Sequence, residues 1–394
     1  MTELRLFAAA CLLAACAYGL GRARALASAG GDIRALHSLP GHYGWAAVQA
    51  TLIAALAVLL LARLAGWSVP ATTAATLAAA LAGLAWALRR GVPGFRARNA
   101  VERGVMGFLI LASTIAIATT AGIVASMLFE ARNFFAQYGW RDFFFSTTWA
   151  PQFQGQSQLG ILPLLWGTLY ISAIALAFAV PVGLFAAIHL SEYAGPRMRA
   201  VVKPALEILA GIPTIVYGLF ALITVGPLLR DWFAQPLGLG TGASSAMTAG
   251  LVMGIMLIPF VSSLSDDIIS QVPRALHDGA SALGATRSET IRQVILPAAL
   301  PGIVGAVLLA TSRAIGETMI VVLGAGAAAR LSLNPFEAMT TITVKIVSQL
   351  TGDSDFAAPE TLVAFALGLT LFVITLGLNV LALTIVRRYR EQYE

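Results

Sequence analysis

Long apolar runs constrain this chain more than anything else in it. Crossing the ~30 Å hydrocarbon core of a bilayer takes about 20 helical residues. Runs of that order occupy residues 4–20, 45–65, 69–88, 104–129, 162–190, 204–228, 246–264, 300–326 and 361–386. Inside hydrocarbon no water satisfies the peptide groups, so each run must close its hydrogen bonds on itself. The expected fold class is an all-α integral membrane protein, a polytopic bundle of about nine transmembrane helices. With 58% hydrophobic residues, 11% charged residues and a mean hydropathy of +0.82, a soluble domain is excluded. The first three runs are Ala-rich, and their small residues permit close helix packing. They mark residues 1–100 as an N-terminal extension with three spans; residues 101–394 hold the other six.

The net charge of +6 and pI near 9.7 would fit nucleic acid, but the membrane explains them better. Arg gathers in alternate loops: Arg22, Arg24 and Arg34; Arg89 to Arg103; Arg197 and Arg199 with Lys203; and the tail Arg387, Arg388 and Arg390. Cytoplasmic loops carry that excess. Nine spans then place the amino terminus outside, in the periplasm, and the carboxyl terminus in the cytoplasm. Cys11 and Cys16 lie in an apolar run with no metal-ligand spacing. Leu13 to Cys16 resembles a lipoprotein cleavage box, yet the preceding residues make a poor signal start, so 4–20 reads as a retained span.

Outside the spans, residues 130–160 are aromatic: Phe134, Phe135, Trp140, Phe143, Phe144, Phe145 and Trp149 suit an interfacial belt. Residues 327–360 form a second outer segment with Asp353, Asp355 and Glu360. Several spans are interrupted by Pro and Gly, at Pro181, Gly211-Ile-Pro213, Gly226-Pro227 and Pro259, as in helices that bend or line a cavity.

The stretch from Pro273 to Gly326 is the most informative. Residues 274–283 predict a short helix, Gly284 a turn, and Thr286 with Glu289 a capping box that starts a second short helix. Pro297 is expected to stop it. The resulting helix-turn-helix, residues 273–296, would lie at the cytoplasmic membrane surface. Leu300 to Ala327 then returns to the membrane, apolar except for Arg313 and Glu317 among ionisable residues. On one continuous helix these two would share a face. Charge at bilayer depth marks a substrate or ion path, or else a structural ion pair between helices.

No Walker A loop, HExxH motif or Gly-x-Ser-x-Gly elbow is present, and the four His residues form no constellation. The chain therefore shows no catalytic site of its own. Gly284, then nine residues, then Val294-Ile295-Leu296-Pro297 resembles the EAA loop of ABC importer permeases. The usual Glu-Ala-Ala stands here as Asp278-Gly279-Ala280. More narrowly, Ser157 to Arg197, Lys203 to Phe220 and Arg313-Ala-Ile-Gly-Glu-Thr-Met319 resemble phosphate-specific permeases of the PstC type.

The resemblance implies a permease domain over 101–394 in the bacterial inner membrane. Its coupling loop, with Asp278, Gly279, Ala280, Gly284, Leu296 and Pro297, would dock on an ATPase. Its substrate path would run by Arg313, Glu317 and Thr318. It implies a second permease of PstA type, an ATPase dimer of PstB type and a periplasmic phosphate-binding protein of PstS type. Membrane lipid, but no nucleic acid and no cofactor, completes the expected set. Six spans are usual in the family, so the three in 1–100 depart from it. Competing readings are a permease for sulfate or molybdate, a proton-coupled carrier using Glu317, and a membrane-embedded enzyme. The coupling loop argues against the carrier, and the missing constellation against the enzyme.

Overall fold

The computed structural model describes residues 2–152, 157–352 and 358–390; Asp353 and Asp355 fall outside them. The chain divides into two compact units, Met1–Gly122 and Ile123–Glu394.

In the first unit, α1 (Thr2–Ser28), α2 (Pro40–Leu64) and α3 (Val69–Arg89) pack on one another. Small residues allow it: a Cβ on Gly83 would stand 2.4 Å from the Ala50 carbonyl oxygen, and one on Gly21 2.8 Å from that of Tyr43. The Tyr43 hydroxyl donates to the Phe95 carbonyl at 2.9 Å, tying α2 to the connection that enters α4 (Ala97–Gln137).

In the second unit the chain runs through α5 (Trp140–Phe145) and a two-residue antiparallel pair, β1 (Trp149–Ala150) with β2 (Gln158–Leu159). It continues into α6 (Leu162–Ile188), α7 (Pro196–Ala210), α8 (Thr214–Phe220) and α9 (Gly226–Leu229). Next come α10 (Ala246–Ser270), α11 (Arg274–Ala282), α12 (Arg287–Thr290), α13 (Leu296–Ile315), α14 (Met319–Gly324), α15 (Ile342–Gly352) and α16 (Pro359–Arg390). The central helix is α10. It packs on α6 through Gly250 and Gly254, which approach Ile174 and the Ala175 carbonyl. Val252, Met253, Met256 and Leu257 of α10 join Ile171 and Ala175 of α6, Ile320 and Val321 of α14, and Met339 in one core.

Among the described residues, eight helices are long and apolar enough to cross a membrane, and each overlaps one of the eight runs from residue 45 onward. The first run lies within α1. Three expectations need correction. The run 204–228 is not one span, because Gly211 ends α7 and Pro213 caps α8; the apolar helix is Thr214–Ala234. Lys203 and Glu207 belong instead to the amphipathic α7. Pro297 does not stop the second short helix. Residues 291–295 widen into a π-turn, with the Leu296 N–H bonded to the Ile291 carbonyl, and the helix runs unbroken from Arg287 to Ile315. Wider turns of this kind absorb irregularities in the bonding ladder, such as the N–H that proline lacks. The aromatic belt is only partial. Phe134, Phe143 and Trp149 are buried in a cluster with Leu159, Ile342 and Val363, the Phe134 and Phe143 rings meeting edge to face, whereas Trp140 and Phe145 are exposed.

Candidate functional site

The helix-turn-helix forms as its local chemistry dictates. Gly284 takes φ +85°, a region open to glycine, and nothing stands within 4 Å of where its Cβ would be. The Ala285 N–H reaches the Ala280 carbonyl at 3.1 Å and the Gly284 N–H reaches Ser281 at 3.0 Å, so orphan carbonyls of α11 are satisfied. Thr286 and Glu289 make both halves of the capping box. Asp278 and Gly279 are exposed and Ala280 is half-buried. Leu283, which the sequence did not single out, is 91% exposed at the apex of the turn. Leu296 instead packs with Ile268, Ile295 and Ala299 beneath the two short helices, and Pro297 is exposed.

A polar frame holds this element, and it too escaped the sequence reading. His277 of α11 lies 3.6 Å from Glu192, and the Arg287 guanidinium sits 5.0 Å from the Tyr193 ring centroid. Both partners belong to the π-turn His189–Tyr193 that closes α6. Below, Asp266 of α10 is 2% exposed and accepts from Arg199 at 3.0 Å and from Lys203 at 2.9 Å, both on α7. Lys203 also donates to Asp267 at 2.9 Å. That bond first, then the one to Asp266, holds the Lys203 ammonium above its ordinary range. The available signal was Arg199 and Lys203 one helical turn apart and two adjacent acids ending an apolar run.

The Arg313–Glu317 expectation is corrected. The two do not share a helix face, because α13 ends at Ile315 and Gly316 caps it. The Glu317 carboxylate turns forward and accepts from the N–H groups of Thr318 (3.1 Å), Met319 (3.0 Å) and Ile320 (3.4 Å). Satisfying three orphan donors of α14 outweighs the few tenths of a kcal/mol of an i,i+4 pair. The Glu317 carbonyl accepts from Thr343 Oγ1 at 2.9 Å, which anchors the break to α15. Arg313, in the last turn of α13, is exposed on this chain and lies 5.6 Å from the Phe260 ring centroid of α10. A helix carboxyl end favours that cation. No carboxylate pairs with it among the described residues.

Residues 179–391, more than half of the chain, match the model of the family described as "Binding-protein-dependent transport system inner membrane component". The chain belongs to this family. The matched span holds both the helix-turn-helix and Arg313. Residues 8–77, in the extension, match a second model, described as "Phosphate ATP-binding cassette transporter". Among relatives, the phosphate transport system permease protein PstC 1 of Mycobacterium tuberculosis is 40% identical over 247 residues, 58% of this chain and 72% of its own. The phosphate transport system permease protein PstC of Xylella fastidiosa is 33% identical over 306 residues, 72% of this chain and 91% of its own. A bacterial alginate ABC transporter chain superposes with a TM-score of 0.51 at 18% identity, covering 74% of this chain and 97% of that one; this likeness concerns the fold alone.

The buried carboxylate of this permease gives a stability prediction. Asp266→Asn leaves Arg199 and Lys203 facing a neutral amide. Removing one partner of a fully buried pair costs ~3–5 kcal/mol. Here the cations keep 36% and 31% exposure, so the expected loss is about 2 kcal/mol. A lowered thermal midpoint in detergent checks it, with Asp267→Asn, 53% exposed, as the nearly silent control.

Proposed function

We propose that this chain is the permease subunit of an ATP-driven phosphate importer and forms half of its transmembrane path. The observation that carries the reading is mechanical. The exposed α11–Gly284–α12 element runs without a break into the helix whose last turn bears Arg313. A chain with no nucleotide motif must receive work from another, and this element is the part of it shaped to do so. The names of the PstC relatives and the description of the model matching residues 8–77 supply the substrate. Guanidinium suits it, since its planar fork matches phosphate oxygens. The partners of this reading are a PstA-type permease, against which Arg313 would line the path, a PstB-type ATPase dimer at the turn, and a PstS-type binding protein outside.

ATP binding and release would rock α11 and α12. The frame of Glu192, Tyr193 and Asp266 keeps that motion from dissipating in a loose loop, and the continuous helix carries it to Arg313. Glu317, occupied with α14, does not neutralise that cation, so an arriving anion meets it unpaired. The Arg asymmetry supports a periplasmic amino terminus and a cytoplasmic carboxyl terminus. Reporters fused before Thr2 and after Glu394 are expected to read opposite sides, and the same side for both would overturn this orientation.

Arg313→Gln removes the charge while keeping hydrogen-bonding capacity. A charged hydrogen bond contributes ~1.5–3 kcal/mol, so whole-cell phosphate uptake is expected to fall at least about tenfold. Membrane level and partner recovery should be unchanged. Normal uptake at normal protein level would remove Arg313 from the path.

Gly284→Val forces a β-branched residue into positive φ, a strain on the order of 1–3 kcal/mol. The angle between α11 and α12 is expected to change, with loss of the ATPase on co-purification and loss of uptake. Full ATPase recovery together with normal uptake would sink this element as the coupling site.

A further inference from the structure

The first unit carries a charged feature that the transport role leaves unexplained. Three arginines lie within residues 21–39 and five within 89–104, against two carboxylates, Asp32 and Glu102. Both carboxylates are engaged. Asp32 accepts from the Arg34 N–H, and Glu102 pairs with Arg98 at 2.6 Å.

A half-open cavity of about 330 Å³ lies among the ends of α2, α3 and α4. Its lining is part apolar and part cationic. Ala46, Ala50 and Ile53 line it down α2, reaching about 20 Å from the start of that helix at 1.5 Å per residue. Arg90, which caps α3, and Arg103, in the second turn of α4, line it as well, with Trp86 one turn before Arg90. No carboxylate lines it. The Arg90 guanidinium rests 4.4 Å from the Trp86 ring centroid, which orients it without using its N–H donors. Arg103 makes one bond, from Nε to the Asn99 carbonyl at 3.3 Å. The wall is rigid. Gln49 donates to the Val101 carbonyl at 3.2 Å and abuts Gly104, where a Cβ would stand 2.6 Å from its Oε1.

We propose that this slot binds an anionic glycerophospholipid, its phosphodiester between Arg90 and Arg103 and its chains along α2. Two cations with no paired carboxylate select a net negative headgroup, and a zwitterionic one would bring its own cation against them. Free inorganic phosphate satisfies the arginines but leaves the alkyl part of the slot empty, so the amphiphile is the occupant. The role of this site is independent of the transport reading.

The test uses the full chain in zwitterionic nanodiscs, with phosphatidylglycerol as probe and native mass spectrometry as readout. Phosphatidylglycerol is expected to be retained about tenfold more strongly than phosphatidylcholine. The Arg90→Gln/Arg103→Gln variant should lose that preference. Arg34→Gln/Arg96→Gln, an equal loss of charge outside the slot, should keep it. Equal retention of the two lipids, equal loss in both variants, or displacement by millimolar inorganic phosphate would each overturn the proposal. A headgroup-photoactivatable phosphatidylglycerol decides the case even if the slot variant fails to fold. Crosslinks to the native peptide 86–104 support the site, and crosslinks only elsewhere refute it.

Discussion

Within hydrocarbon every peptide group must find its partner in the protein, and the irregular parts of this fold are answers to that requirement. Where a helix ends inside the second unit, a side chain or a widened turn takes over the orphan groups. Glu317 covers three N–H groups of α14, and Tyr217 reaches across the Pro213 break to the Leu209 carbonyl at 2.9 Å. Residues 291–295 accommodate Pro297 without ending the helix. The breaks are therefore hydrogen-bonded joints rather than loose ends.

What the sequence disclosed depended on the range of the deciding interaction. The class of protein and the approximate places of eight apolar helices follow from composition over about 20 residues, while the breaks at Gly211 and Gly316 do not. The turn at Gly284 and the capping box of Thr286 and Glu289 depend on neighbours three to five residues away, and both form as read. Pro297 and the Arg313–Glu317 pair misled because two local rules competed. A proline that ordinarily breaks a helix is tolerated next to a π-turn, and a glutamate four residues from an arginine found three backbone donors instead. Arg199 and Lys203 stand one helical turn apart, but their partner Asp266 is more than 60 residues away, so their spacing does not name it.

The two units differ in how they cohere. The second places large apolar side chains and four methionines, Met253, Met256, Met339 and Met319, in or beside its helical core and at the joint below Arg313. The first relies on alanine and glycine, with Tyr43, Leu36 and Leu84 as larger buried side chains among its described residues. Backbones that approach this closely leave little side-chain volume to rearrange, which suits a scaffold better than a moving part.

The bareness of Leu283 has a consequence beyond docking. A large apolar side chain at the tip of a turn, 91% open to solvent, adds almost no buried area to the chain's own stability. A polar residue in its place would therefore leave the fold of the two short helices nearly unchanged.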